Sequence, residues 1–124
     1  MAVVVTAEDD EDIRFVIQRV LRGAGHTVID TADGVAALAA VREHHPQAVV
    51  TDFRMPNMDG QQLCQAIRDD PQLRHIPVVV VSGSIDAYDE HALACFDAVV
   101  GKPFLPDALL TEVTDVLTRT AVDP

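Results

Sequence analysis

Glu8 and Asp9, Asp52, Ser82 and Lys102 each follow a short valine-rich run: Val3 to Val5, Val49-Val50, Val78 to Val81 and Val99-Val100. Three carboxylates at close range repel one another and raise one another's pKa, so such a group persists where a cation offsets it. A hard divalent ion fits, because it takes one or two carboxylates, keeps several waters and leaves a place for a phosphate oxygen. A hydroxyl and an ammonium beside that centre would bind the remaining oxygens of a phosphoryl group. Convergence requires the valine runs to be neighbouring parallel strands, since such sheets carry their ligand chemistry at the strands' carboxyl ends. Each residue also has a plainer reading. In the run Glu8 to Asp12, Asp10 or Asp12 serves as a helix cap, and Asp52 and Ser82 taken singly are ordinary turn residues.

The elements that would position these groups are legible in the hydrophobic pattern. After Asp12, residues Ile13, Val16, Ile17, Val20 and Leu21 recur at helical spacing, with Gly23 or Gly25 as the stop. Thr27 to Ile29 reads as a strand, and Val35, Leu38, Ala39 and Val41 mark a helix that ends before Pro46. Residues 48–51 are a strand and residues 54–59 a loop ending at Gly60. Leu63, Ala66 and Ile67 give the next helix one face, Pro71 closes it, and Pro77 opens the following strand. A weaker helical stretch covers residues 87–95, a strand residues 98–101, and a helix residues 106–120 with Leu109, Val113, Val116 and Leu117 inward; residues 121–124 fray. Strand and helix alternate five times, and right-handed crossovers then place helices on both faces of one parallel sheet.

Composition narrows the function further. The chain of 124 residues suits one domain. At 48% hydrophobic and 4% aromatic, its core must be aliphatic. A formal net charge of −11 argues against direct nucleic-acid binding and against an anionic membrane. The longest apolar stretch, Val35 to Val41, falls far short of the roughly 17 to 25 residues of a spanning helix. The start lacks the basic region of a secretory signal, so a cytoplasmic chain is expected. Cys64 and Cys95 have no metal-ligand spacing and read as buried apolar fillers rather than a disulfide or a redox pair. The stretch from Asp52 to Gly60 lacks the alternate ligands of a calcium loop, and no histidine pair has zinc-site spacing.

The ordered motifs are Glu8-Asp9-Asp10-Glu11-Asp12-Ile13-Arg14, Asp52-Phe53-Arg54-Met55-Pro56-Asn57-Met58-Asp59-Gly60, Ser82 and Lys102-Pro103-Phe104. Together they resemble the receiver domain of two-component response regulators, of the chemotaxis type. The resemblance implies a flavodoxin-like (βα)5 fold over a single domain, residues 1–124, with a doubly wound five-stranded parallel sheet in order 2-1-3-4-5 and helices on both faces. It implies Asp52 as phosphoacceptor, attacking a phosphohistidine on a histidine kinase or a histidine phosphotransfer protein. Glu8, Asp9, Asp52 and the backbone carbonyl of Arg54 would hold Mg²⁺, with Mn²⁺ as a substitute. Ser82 and Lys102 would bind the transferred phosphoryl oxygens. Such a domain signals rather than turns over a substrate. It undergoes Mg-assisted self-phosphorylation and self-dephosphorylation, then switches binding to a downstream protein target, with a phosphorylation-dependent dimer as a further state.

Three departures from the family pattern stand out. Val99 occupies the position of the aromatic that rotates on activation, Glu8 replaces the commoner Asp, and Cys95-Phe96 replace small residues. Phe96 then either contacts partners or fills the space the aromatic leaves, and the Lys102-Pro103 bond is a candidate for the cis form. Val99 also admits an alternative, a phosphorylation-independent interaction module with the same fold. A Mg-dependent phosphatase using Asp52 would need a second Asp two residues on, where Arg54 stands.

Overall fold

Valine crowds a helix at its branched β-carbon and fits a pleated surface, and each of the four valine runs forms a strand. The computed structural model describes residues 2–83 and 93–122. In chain order the elements are β1 (Val3–Ala7), α1 (Glu11–Gly23), β2 (Thr27–Thr31), α2 (Gly34–His44), β3 (Ala48–Asp52), α3 (Gly60–Asp69), β4 (Val78–Ser82), β5 (Ala98–Gly101) and α4 (Pro106–Val122). The helical stretch expected over residues 87–95 lies, apart from 93–95, outside the described residues.

The five strands form one parallel sheet in the order β2-β1-β3-β4-β5, as the resemblance implied. Successive residues of each strand point to opposite faces, and the core divides accordingly. Val5, Ala7, Val49, Val78 and Val80 pack with Ala37, Val41, Leu63 and Ile67 from α2 and α3. Val4, Val50, Val79, Val81 and Val100 pack with Ile17 and Leu21 of α1 and Leu109, Val113 and Val116 of α4. Both faces of the sheet are thus covered by helices. β3 and β4 are buried along their whole length, which is why their runs show no polar alternation.

Local signals set the helix ends. Asp10 caps α1, its carboxylate accepting from the amides of Asp12 and Ile13 at 2.9 and 3.1 Å. Asp59 and Gln62 form a reciprocal capping box at the start of α3. Of the apolar residues that recur along α1, Ile17 and Leu21 are sealed, while Val16 is 42% exposed beside Phe15 at 53%. Leu117 on α4 is half-buried.

The cysteines require a correction. Cys64 on α3 and Cys95, just before β5, are joined in a disulfide rather than standing apart as apolar fillers. The crossover from α3 through β4 brings α3 alongside the entry to β5, a proximity that residue spacing does not encode. Phe96 is buried and packs against Phe53 with ring centroids 6.2 Å apart. It is therefore a core side chain, which removes the partner-contact reading.

Candidate functional site

β1 and β3 are adjacent and parallel, with Ala7 opposite Thr51, so the residues that follow them emerge side by side. One carboxylate oxygen from each of Glu8, Asp9 and Asp52 lies within 4.8 Å of the others. Glu8 is fully buried, Asp52 nearly so and Asp9 exposed. The set thus runs from the carboxyl ends of β1 and β3 out to solvent. β4 continues the layer: Asp52 pairs in register with Val81, and Ser82, 3% exposed, is the next residue. Ser82 in turn stands opposite Gly101, and its carbonyl accepts the Lys102 amide at 2.9 Å. Arg54, two residues beyond Asp52, is exposed.

The Lys102 ammonium closes the arrangement. Its Nζ donates to Glu8 Oε1 at 2.8 Å and lies 3.3 Å from Asp52 Oδ1. Lys102 is followed by a cis bond to Pro103, as the sequence suggested. The other Glu8 oxygen, Oε2, accepts the Asp10 amide at 3.2 Å, and Asp52 Oδ1 accepts the Phe53 amide at 2.9 Å.

Burial in this setting disfavours charge on Glu8. Desolvation pushes its carboxyl up to about 7, against the hydrogen bonds from Lys102 and the Asp10 amide, while the Asp52 charge adds to the rise. Burial also works to lower the Lys102 pKa, but the Glu8 hydrogen bond and the Asp52 charge outweigh it and raise it. The pocket sets three carboxyl groups against one ammonium. Its donors are all oxygens, a set that fits Mg²⁺ or Mn²⁺ and not a thiolate-seeking metal.

Several residues that support the site carry no chemical signal in the sequence. Gly60 is packed so closely that a Cβ there would collide with the Asp52 carbonyl, and its amide donates to the Phe53 carbonyl at 2.7 Å. A side chain at Gly34 would meet Met58 in the same way. Asn57, at a positive φ of 70°, donates to Asp33 at 3.2 Å and ties the loop after β3 to the α2 cap. Arg14 donates from Nη1 to the Glu8 carbonyl at 3.2 Å, fixing the backbone of the buried acid. The quoted motifs contain Arg14, Asn57 and Gly60, but their roles depend on contacts across the fold. Val99 is half-buried, packs against the α2–α3 side of the core and borders a groove of about 530 Å³ shared with Thr111 and Glu112.

Comparison with known proteins agrees with this geometry. The family model described as "Response regulator receiver domain" matches residues 4–114. The polar-differentiation response regulator DivK of Brucella ovis is 32% identical over 103 residues, covering 81% of this chain and 83% of DivK. The probable transcriptional regulator ycf27 of Porphyridium aerugineum is 33% identical over 116 residues, covering 94% of this chain but 48% of ycf27, so the chain spans about half of that relative. Among solved structures, the chemotaxis response regulator CheY4 of Vibrio cholerae superposes with a TM-score of 0.86 at 28% identity, covering 94% of this chain and 98% of CheY4.

Proposed function

The chain belongs to the response regulator receiver family of two-component signalling, and on that premise we propose that it is a phosphorylation switch with Asp52 as phosphoacceptor. The observation that carries the reading is the meeting of Asp52 with Glu8, Asp9 and the Lys102 ammonium. The Asp52 carboxylate attacks the phosphorus of a phosphohistidine on a kinase or phosphotransfer protein. The P–N bond breaks, the imidazole leaves, and an acyl phosphate remains. Phosphoryl transfer rests on alignment and charge neutralisation more than on covalent help from the protein. The Asp52 Oδ1 bond to the Phe53 amide orients the nucleophile, and Lys102 meets the incoming negative oxygens together with the Ser82 hydroxyl. Glu8, Asp9, Asp52 and the Arg54 carbonyl would hold Mg²⁺ or Mn²⁺, which when bound supplies further positive charge to the phosphoryl oxygens.

The unit is a single receiver domain, residues 1–124, that undergoes metal-assisted self-phosphorylation and self-dephosphorylation and no other turnover. It acts in the cytoplasm by changing its affinity for a downstream protein or for a second copy of itself. No helix among the described residues is long and apolar enough to cross a membrane, and the net charge of −11 disfavours nucleic acid. An apolar groove of about 440 Å³ lined by Ile13, Val16, Lys102 and Phe104 opens beside the site, a surface suited to a phosphodonor protein. The test is incubation with acetyl phosphate and Mg²⁺ followed by intact-mass measurement. A single phosphoryl adduct is expected in the wild type and none in Asp52→Asn; an adduct retained by Asp52→Asn would defeat the assignment.

Val99 supports a second reading, a module that binds its partner regardless of phosphorylation, because valine cannot swing a ring between two sites. Spectra with Mg²⁺ and beryllofluoride separate the two. Shifts reaching β5 and α4 favour the switch, and shifts confined to the pocket favour the static module.

A further inference from the structure

Cys64 and Cys95 are 31 residues apart in sequence, and neither takes part in the site above. Their Cα atoms lie 6.3 Å apart, within the span a disulfide closes without backbone movement. That spacing is held by groups other than the sulfurs. One turn after Cys64, the Arg68 guanidinium donates to the Cys95 carbonyl from Nε and Nη2 at 3.3 and 3.1 Å. Its Nη1 donates to the carbonyls of Arg74 and Ile76 at 2.9 and 2.7 Å, and its Nη2 pairs with Asp97 at 2.6 Å. Asp97 in turn accepts the Val78 amide at 2.7 Å and donates its own amide to the Val78 carbonyl at 2.8 Å. One cation therefore fastens α3, the start of β4 and the entry to β5, and sets the two cysteines side by side.

The two thiols are unequal. Cys64 is fully buried, with its Sγ 3.1 Å from the Cys95 carbonyl that the guanidinium also contacts, whereas Cys95 is partly exposed. Solvent access favours the reactive thiolate, and burial suppresses it. We propose that Cys64 and Cys95 form a reversible thiol–disulfide pair, closed by a low-molecular-weight disulfide and reopened by the corresponding thiol, with Cys95 as the point of entry. The Cys95 thiolate attacks one sulfur of the external disulfide, whose S–S bond breaks, and one small thiolate leaves and takes up a proton. Cys64, giving up its proton, attacks the Cys95 sulfur and displaces the second small thiolate. Two protein thiols and one small disulfide become one protein disulfide and two small thiols. Closure places β4 and Ser82 within a covalent ring, and it requires no phosphorylation of Asp52.

The test equilibrates the full chain in mixtures of reduced and oxidised glutathione, quenches with N-ethylmaleimide and weighs the intact protein. Expected is a graded exchange between a monomer carrying two maleimides and one carrying none, the latter with an unfolding midpoint roughly 5–15 °C higher. Cys64→Ala should stop at a glutathione adduct on Cys95, and Arg68→Gln should slow closure of the wild-type pair severalfold. Three outcomes overturn the proposal: both cysteines remain labelled in the most oxidising mixture, the link survives the most reducing one, or the wild-type chain halts at a mixed disulfide.

Discussion

The ammonium of Lys102 lies 2.8 Å from Glu8 Oε1, a contact between residues 94 apart that reaches from the end of β5 to the end of β1. Its second neighbour, Asp52 Oδ1 at 3.3 Å, belongs to β3. One side chain thus acts as counter-charge for two strands at once.

Removing that counter-charge should expose the cost of burying Glu8. Lys102→Ala is expected to lose about 1–3 kcal/mol of stability at neutral pH without metal, since the buried Glu8 carboxyl loses its hydrogen-bond donor and must take up a proton to stay in the fold. Mg²⁺ should then stabilise the variant more than the wild type. Urea denaturation with and without Mg²⁺ measures both effects.

The Glu8 carboxyl, ordinarily near 4.5, is pushed up to about 7 in the fold. Between these values the folded chain binds more protons than the unfolded one, so this group's contribution is complete below about pH 4.5 and is lost as pH rises through 7. Without metal the expected decline is of order 2–3 kcal/mol. Mg²⁺ binding, which needs the carboxylate, should tighten over the same window and release a proton. Urea midpoints from pH 4.5 to 8 should fall without Mg²⁺ and fall less with it.

Gly60→Ala places a methyl group against the Asp52 carbonyl and near the Phe53 Cα at 3.0 Å. Backbone must move, at a cost of about 1–3 kcal/mol. Because the displaced atoms carry the phosphoacceptor, labelling by acetyl phosphate should slow as well. A variant with normal labelling and normal stability would show that the close approach is dispensable.

Asp59 contributes by capping α3. Its carboxylate accepts the Gln62 amide at 2.8 Å, and the Gln62 side chain returns a bond to the Asp59 amide at 3.0 Å. Asp59→Ala should cost about 1 kcal/mol and leave the rate of Asp52 labelling unchanged. Urea denaturation and acetyl phosphate labelling check the two halves.

The sequence by itself determined the strands, because valine runs bounded by turn residues have one comfortable conformation, and it determined the described helices. Alternation of the two implied parallel crossovers, and these bring Glu8, Asp9, Asp52, Ser82 and Lys102 to the carboxyl ends of the strands. Tertiary structure alone decided which side chains touch. The Glu8–Lys102 contact, the approach of Gly60 to Asp52, the Arg68 clamp and the Cys64–Cys95 link each join segments whose distance depends on how helices settle on a given face. Periodicity reports which way a residue points along its own element. It carries no record of what waits across the core, so the two cysteines read as separate apolar fillers.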